Sequence, residues 1–311
     1  MHSDIDGLLA VQGFVTRPQL IDRGFTDRII WDAVRLGTFV RIGVGLFAGP
    51  EYAQLSPESR HLVRVRAVMT RFDGRVAVSH QSAALLHGAS VWGADLDDVH
   101  LTRVDTGRGR HQAGVAHHVA DLRDDELTLV DGIPVTTGAR TAWDLAVNES
   151  AEVALVSTDS LLHLGLAREG ELVDLSRRYG AWRGSRRARV TLSLADGRSE
   201  SAGETRGRWM FRQFGLPRPE LQVPVYDDRG RLIGVADYCW PGYRHLAEFD
   251  GLLKYGESVD LAKEKWREDR LRAQGWGMTR IVWSQLAPGS RKRCAEELFE
   301  AMKQSARVFA A

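Results

Sequence analysis

Residues 235–255 read VADYCWPGYRHLAEFDGLLKY, and this stretch decides what the last third of the 311-residue chain is. Two apolar runs flank Pro241-Gly242, so a hairpin is expected, with one strand rising through Asp237 and the other returning through Glu248. The two acids then meet across the strands, with Asp250 and Lys254 close behind. Carboxylates on adjacent strands repel, and the pairing is stable only if a proton, a cation or a divalent metal neutralises it. A metal is the expectation carried forward; solvated edge-strand acids are the alternative.

Working outward, the order from Ser199 is helix (SESAGETRGRWMFRQFG), strand (LQVPVYD), an Asp-Asp-Arg-Gly turn, the two strands of the hairpin, helix (DLAKEKWREDRLRAQG), strand (MTRIVWSQ) and a last helix. Gln222 lies on the first strand, where it either orients water or a ligand or is an ordinary surface residue. Lys265 lies on the helix after the hairpin, and Trp266 and Trp276 are expected in the core.

This αβββαβ order, with Asp237 and Glu248 separated by ten residues, resembles the PD-(D/E)XK or restriction-endonuclease-like nucleases. The resemblance implies a Mg2+ (or Mn2+) ion held by Asp237, Glu248 and the carbonyl of Phe249, with Glu204 on the opening helix as auxiliary acid. Such an ion takes a few carboxylate oxygens plus waters and lowers the pKa of an attacking water. The pattern has a lysine where this chain has Asp250. The tail EDRLRAQGWGMTRIVWSQL is similar to the very-short-patch-repair endonuclease branch, in which a histidine base aligns with Tyr255; the neighbouring Lys254 is the candidate replacement cation.

The first fifty residues read as three capped helices and a hairpin. Ser3, Thr16 and Thr26 open DIDGLLAVQ, RPQLIDR and DRIIWDAVRL, and Gly13, Gly24 and Gly37 close them. FVRIGVGLFAGP then folds back at Gly43-Val44-Gly45. This is the plan of a winged helix-turn-helix, whose third helix enters the DNA major groove. That helix should bury Ile29, Ile30, Ala33 and Val34 and offer Arg28 and Arg35 to DNA, with Arg41 on the wing; Asp27 and Asp32 oppose that charge.

Residues 51–198 read as an α+β middle domain followed by bridging helices. SHQSAALLHG, DDVHLTRV and DGIPVTTGARTAWDLA, together with the winged helix, resemble the AbiEi-type antitoxins of type IV toxin-antitoxin systems. The resemblance implies operator binding, repression, and a nucleotidyltransferase-type toxin as partner. His80, His87, His100, His111, His117 and His118 show no compact ligand spacing, and His117 and His118 must point to opposite faces of a strand, so structural roles are expected for them.

The fold expected is therefore an α/β multidomain chain: a winged helix over 1–50, the middle domain over 51–198 and the nuclease-like domain over 199–311. A net charge of +1 argues against a wholly electrostatic nucleic-acid binder. The basic run from Trp182 to Arg212 is either a solvated helix face or a phosphate-contacting surface, with Arg206 and Arg208 as its candidates. Cys239 and Cys294 are too far apart in sequence to suggest a zinc knuckle or disulfide framework. No run of about 18 apolar residues exists and the N-terminus lacks a cationic start, so no membrane association and a cytoplasmic location are expected. Two functions follow: a metal-dependent endonuclease acting on DNA, or a non-catalytic repressor that keeps the nuclease fold for binding.

Overall fold

A computed structural model describes residues 2–72, 74–103, 109–251 and 258–309, apart from the side chains of residues 2, 3, 110, 258–264 and 309. The chain is a mixed α/β protein that divides into two compact units, Met1–Leu194 and Ala195–Ala311. Among the described residues no helix is long and apolar enough to cross a membrane.

The first unit opens with α1 (His2–Gln12), β1 (Val15–Thr16), α2 (Arg17–Ile21) and α3 (Asp27–Arg35), followed by β2 (Val40–Gly43) and β3 (Leu46–Ala48). The capping signals operate as chemistry. Thr16 Oγ1 accepts from the Gln19 amide while Gln19 Oε1 accepts from the Thr16 amide at 2.8 Å, and Thr26 Oγ1 accepts from the Ile29 amide. The three strands form an antiparallel sheet ordered β1-β3-β2. Ile5, Val15, Leu20, Ile30, Phe39 and Phe47 close a small core over it. Ile29, expected inside, is 47% exposed, because only Ile30 of that pair faces the core.

Next come α4 (Pro57–Met69), β4 (Val76–Val78), α5 (His80–Leu86), β5 (Val99–Arg103), β6 (Arg110–Gln112), β7 (Val115–Val119), β8 (Leu127–Val130) and β9 (Ile133–Thr136). They build a mixed sheet ordered β6-β7-β5-β4-β9-β8, with β5 parallel to β7 and β4 parallel to β9. Helices α6 (Gly138–Asn148), α7 (Ala151–His163), α8 (Glu169–Arg178) and α9 (Ser185–Leu192) form a second core around Trp143, Leu145 and Leu161. Arg140 is fully buried there, balanced by Glu126 at 2.6 Å and Asp144 at 2.9 Å.

The second unit comprises α10 (Ala202–Gln213), β10 (Glu220–Tyr226), β11 (Leu232–Trp240), β12 (His245–Asp250), α11 (Ser258–Ala273), β13 (Gly277–Val282) and α12 (Arg291–Phe309). Its sheet runs β10-β11-β12-β13, antiparallel except for the parallel β12–β13 pair. Met210, Phe211, Leu298 and Met302 of α10 and α12 pack with Tyr238, Ala247 and Ile281 in one core. Leu271 of α11 packs with Ala236, Cys239 and Leu246 in another, so the sheet is covered on both faces. Strand β10 is an edge strand and carries Pro224, which lacks an N–H to donate, in keeping with the confinement of proline to edges. Trp276 packs against the α11 core, whereas Trp266, expected in the core, is 63% exposed with Arg270 over its ring at 4.6 Å.

Candidate functional site

The register of β11 and β12 brings the two acids together. Tyr238 pairs with Ala247 and Cys239 with Leu246, so the next step of the same ladder sets Asp237 opposite Glu248. On the other side, the pairs Leu221–Tyr238 and Val223–Ala236 bracket Gln222, which stands opposite Asp237. Gln222 has φ 52, a left-handed conformation that costs a non-glycine residue of order 1 kcal/mol or more inside a strand.

Each carboxylate is held. Asp237 Oδ2 accepts from the Phe249 amide at 2.7 Å, and Gln222 Nε2 reaches Asp237 Oδ1 at 3.4 Å and Glu204 Oε2 at 3.0 Å. Glu204, in the first turn of α10, also accepts from the Glu200 amide at 2.9 Å and the Ser201 hydroxyl at 2.7 Å. Tyr238 donates to the Glu204 carbonyl at 2.7 Å. Gly203 is required beside it, since a Cβ there would overlap the Phe249 ring.

Burial raises the pKa of Glu204, Asp237 and Glu248 above the ordinary carboxylate range. The charge of Asp237 pushes Glu204 and Glu248 further up, and that of Glu200 does the same to Asp237. The opposing effect at Glu248 is Arg267 of α11, which forms an ion pair with it through Nη2, approaches Oε2 through Nη1 at 3.4 Å, and ties to the Val235 carbonyl at 3.1 Å. The acids are therefore met by Arg267 at one edge, and Arg280, paired with Glu248 across the β12–β13 ladder, also favours the Glu248 carboxylate.

Among the described side chains of α11, Arg267 rather than Lys265 meets the acids: Lys265 is exposed, two positions and about 200° around the helix. Asp250 is half-buried at the end of β12, opposite Val282. Lys254 and Tyr255 lie outside the described residues.

The expected DNA-contacting arginines separate into two groups. Arg28, Arg35 and Arg41 are exposed on α3 and β2, with Arg41 stacked over Trp31 at 5.3 Å. The opposing acids are paired, Asp27 with Arg17 through two 2.7 Å bonds and Asp32 with Arg35. Arg206 requires correction. It is buried, donates to the Leu286 carbonyl at 2.7 Å and lies over the Trp283 ring, so it braces the core and offers nothing to a phosphate. Arg208 is half-buried against the Asp196 carbonyl and the Ser199 hydroxyl.

Sequence spacing misses a second constellation. Among the described residues, the one set of three or more His, Cys, Asp or Glu whose donor atoms all lie within 4.8 Å of one another is His80, His100 and His118. His117 does turn away, into the core against Phe72, but its neighbour His118 joins the other two.

No protein-family profile matches the sequence. The chain is 30% identical over 251 residues to the uncharacterized protein Rv2248 of Mycobacterium tuberculosis strain ATCC 25618 / H37Rv, covering 80% of this chain and 87% of that protein. The uncharacterized protein MT2308 of strain CDC 1551 / Oshkosh matches to the same extent. The chain belongs to the family of these mycobacterial proteins.

Proposed function

We propose that the chain is a DNA-binding protein whose second unit is a metal-dependent endonuclease of the restriction-endonuclease-like type, hydrolysing phosphodiester bonds with Mg2+ (or Mn2+) held by Asp237 and Glu248. The observation that carries this reading is the convergence of Glu204, Gln222, Asp237 and Glu248 from one helix and three strands. The donor chemistry suits a hard divalent cation, since the acids offer carboxylate oxygens raised in pKa by burial and by neighbouring acids; their donor atoms do not all lie within 4.8 Å of one another, so an ion would draw them together or take water in the remaining positions. When bound, the ion supplies positive charge at the phosphate and a more acidic water. Gln222 and the Phe249 amide fix the orientation of Asp237, and Arg267 holds Glu248. We read residues 1–50 as a winged helix-turn-helix that presents Arg28, Arg35 and Arg41 to the duplex, a reading supported by three helices followed by a hairpin and by the exposure of those arginines. The test is incubation with plasmid DNA and Mg2+ or Mn2+, with Asp237→Ala and Glu248→Ala alongside. Cleavage lost in both is expected; cleavage retained in both refutes the assignment.

A second reading has an observation of its own: Arg267 already neutralises Glu248, and Asp250 stands where the nuclease pattern has a lysine. Under it the chain is an AbiEi-like antitoxin and transcriptional repressor, partnered by a nucleotidyltransferase-type toxin, with the nuclease-like unit used for binding alone. A gel shift with the chain's own upstream DNA, together with an inactive wild type in the plasmid assay, selects it; failure to bind that DNA rejects it.

A further inference from the structure

We propose that His80, His100 and His118 form a binding site for a divalent transition metal of the zinc class, separate from the carboxylates of the second unit. The placement follows from the fold. His100 pairs with Ala116 across the parallel β5–β7 ladder and His118 lies two residues beyond Ala116, so both rings project from one face of the sheet, a diagonal step apart. His80 is the first residue of α5 and is held at φ 54, in the left-handed region that few non-glycine residues occupy.

Ring spacing supports one shared ion. With a Zn–N distance of about 2.0 Å and tetrahedral angles, imidazole centroids around zinc lie roughly 5 Å apart. The His100–His118 and His80–His100 centroids are 5.1 and 5.5 Å apart. His80 and His118 are stacked at 3.8 Å, and this is the contact that opens when the ion enters. Imidazole donors alone select zinc, copper or nickel over magnesium or calcium.

The surrounding groups supply the orientation that metal-binding histidines need. Asn148 Nδ2 donates to His80 Nε2 at 3.0 Å, which puts the His80 proton on Nδ1, 2.9 Å from Ser79 Oγ; the Nε2 lone pair becomes available to the ion when the Asn148 amide withdraws, and Asn148 keeps its bond to the Asp144 carbonyl. Gln81 Nε2 donates to the Asp95 carbonyl and to His100 Nε2, both at 2.9 Å, which puts the His100 proton on Nδ1, shared with His118 Nε2 at 2.9 Å. The entering ion displaces that proton from Nδ1, and it moves to Nε2. Gln81 Oε1 is buried without a hydrogen-bond partner among the described residues, and turning the amide lets this oxygen accept a hydrogen bond from the new His100 Nε2–H, with loss of the Gln81 bond to the Asp95 carbonyl.

The full chain, stripped with chelator, is titrated with Zn2+ by calorimetry and with Co2+ by visible absorption. One tight equivalent is expected, distinct from weaker uptake by the carboxylates of the second unit, with the intense visible bands of a low-coordinate cobalt site. His100→Ala and His118→Ala each weaken binding at least 100-fold, while Glu248→Ala leaves it unchanged. Because a histidine variant can disturb folding, crystals of the wild type soaked in Zn2+ provide an independent check, with an anomalous peak between the three rings expected. No such peak, binding that survives all three histidine substitutions, or binding lost in Glu248→Ala overturns the proposal.

Discussion

Replacing Arg267 by alanine removes the cation that forms an ion pair with Glu248 and leaves two half-buried carboxylates facing each other across β11 and β12, with Arg280 on β13 as the remaining nearby charge. Opposite unit charges about 4 Å apart attract by about 4 kcal/mol at an effective dielectric near 20, the scale of the Arg267–Glu248 pair. The Arg267 side chain is 32% exposed, so solvent screening and side-chain entropy reduce the net contribution to about 2 kcal/mol. The assay is urea unfolding followed by tryptophan fluorescence in chelated buffer, on wild type, Arg267→Ala, Glu248→Gln and the double variant. Arg267→Ala is expected to be less stable by about 2 kcal/mol and to recover most of that loss when Glu248→Gln removes the stranded charge. On the proposed function, Mn2+ should stabilise Arg267→Ala more than wild type, because it enters where the guanidinium has left. Equal losses from Arg267→Ala with and without the Glu248→Gln substitution would mean no coupling and would refute the reasoning.

Two further outcomes follow from packing and protonation. Gly203→Ala gains up to about 1 kcal/mol of helix propensity but drives a methyl group into the Phe249 ring, an overpacking cost of about 1–3 kcal/mol, so a net loss relieved in a Phe249→Leu background is expected from the same urea curves. A Gly203→Ala protein as stable as wild type contradicts this. His245 is buried, bonded to Ser305 and Thr279, and its pKa is lowered to about 4, so an unfolded chain with histidine near 6.5 takes up the proton first as pH falls. Its stabilising contribution is complete above about pH 6.5 and is lost towards pH 4, by about 2 kcal/mol at pH 5, and His245→Asn should flatten that part of the stability–pH curve.

Much of the second unit can be read from sequence because its signals are local. Alternating apolar residues around Pro241-Gly242 specify the hairpin, and the two-residue side-chain period then puts Asp237 and Glu248 on adjoining strands. The role of Arg267 is not readable this way. Cations occur at nearly every phase of LAKEKWREDRLRAQ, and only the docking of α11 through Leu271 selects which one meets the acids. Arg206 misleads for a related reason: a basic run says nothing about which arginine turns inward, and Arg206 is carried into the core by the phase of α10. The three histidines are hidden more deeply. His100 and His118 meet through a parallel pairing that spans the intervening strand β6, and such long-range register leaves no spacing in the sequence. The left-handed backbone of Gln222 has no local cue either, since glycine or asparagine is the usual marker of that conformation.

Strand β10 has a consequence for behaviour at high concentration. An open sheet edge is a template on which a strand from another molecule can assemble and grow into an aggregate. Here the incoming strand would meet a missing donor at Pro224 and a kinked residue at Gln222, followed by a shift of register between Val225 and Tyr226. The residue that turns its amide toward Glu204 and Asp237 thus also roughens the rim of the sheet, and the same distortion that organises the acids guards the molecule against strand-by-strand self-association.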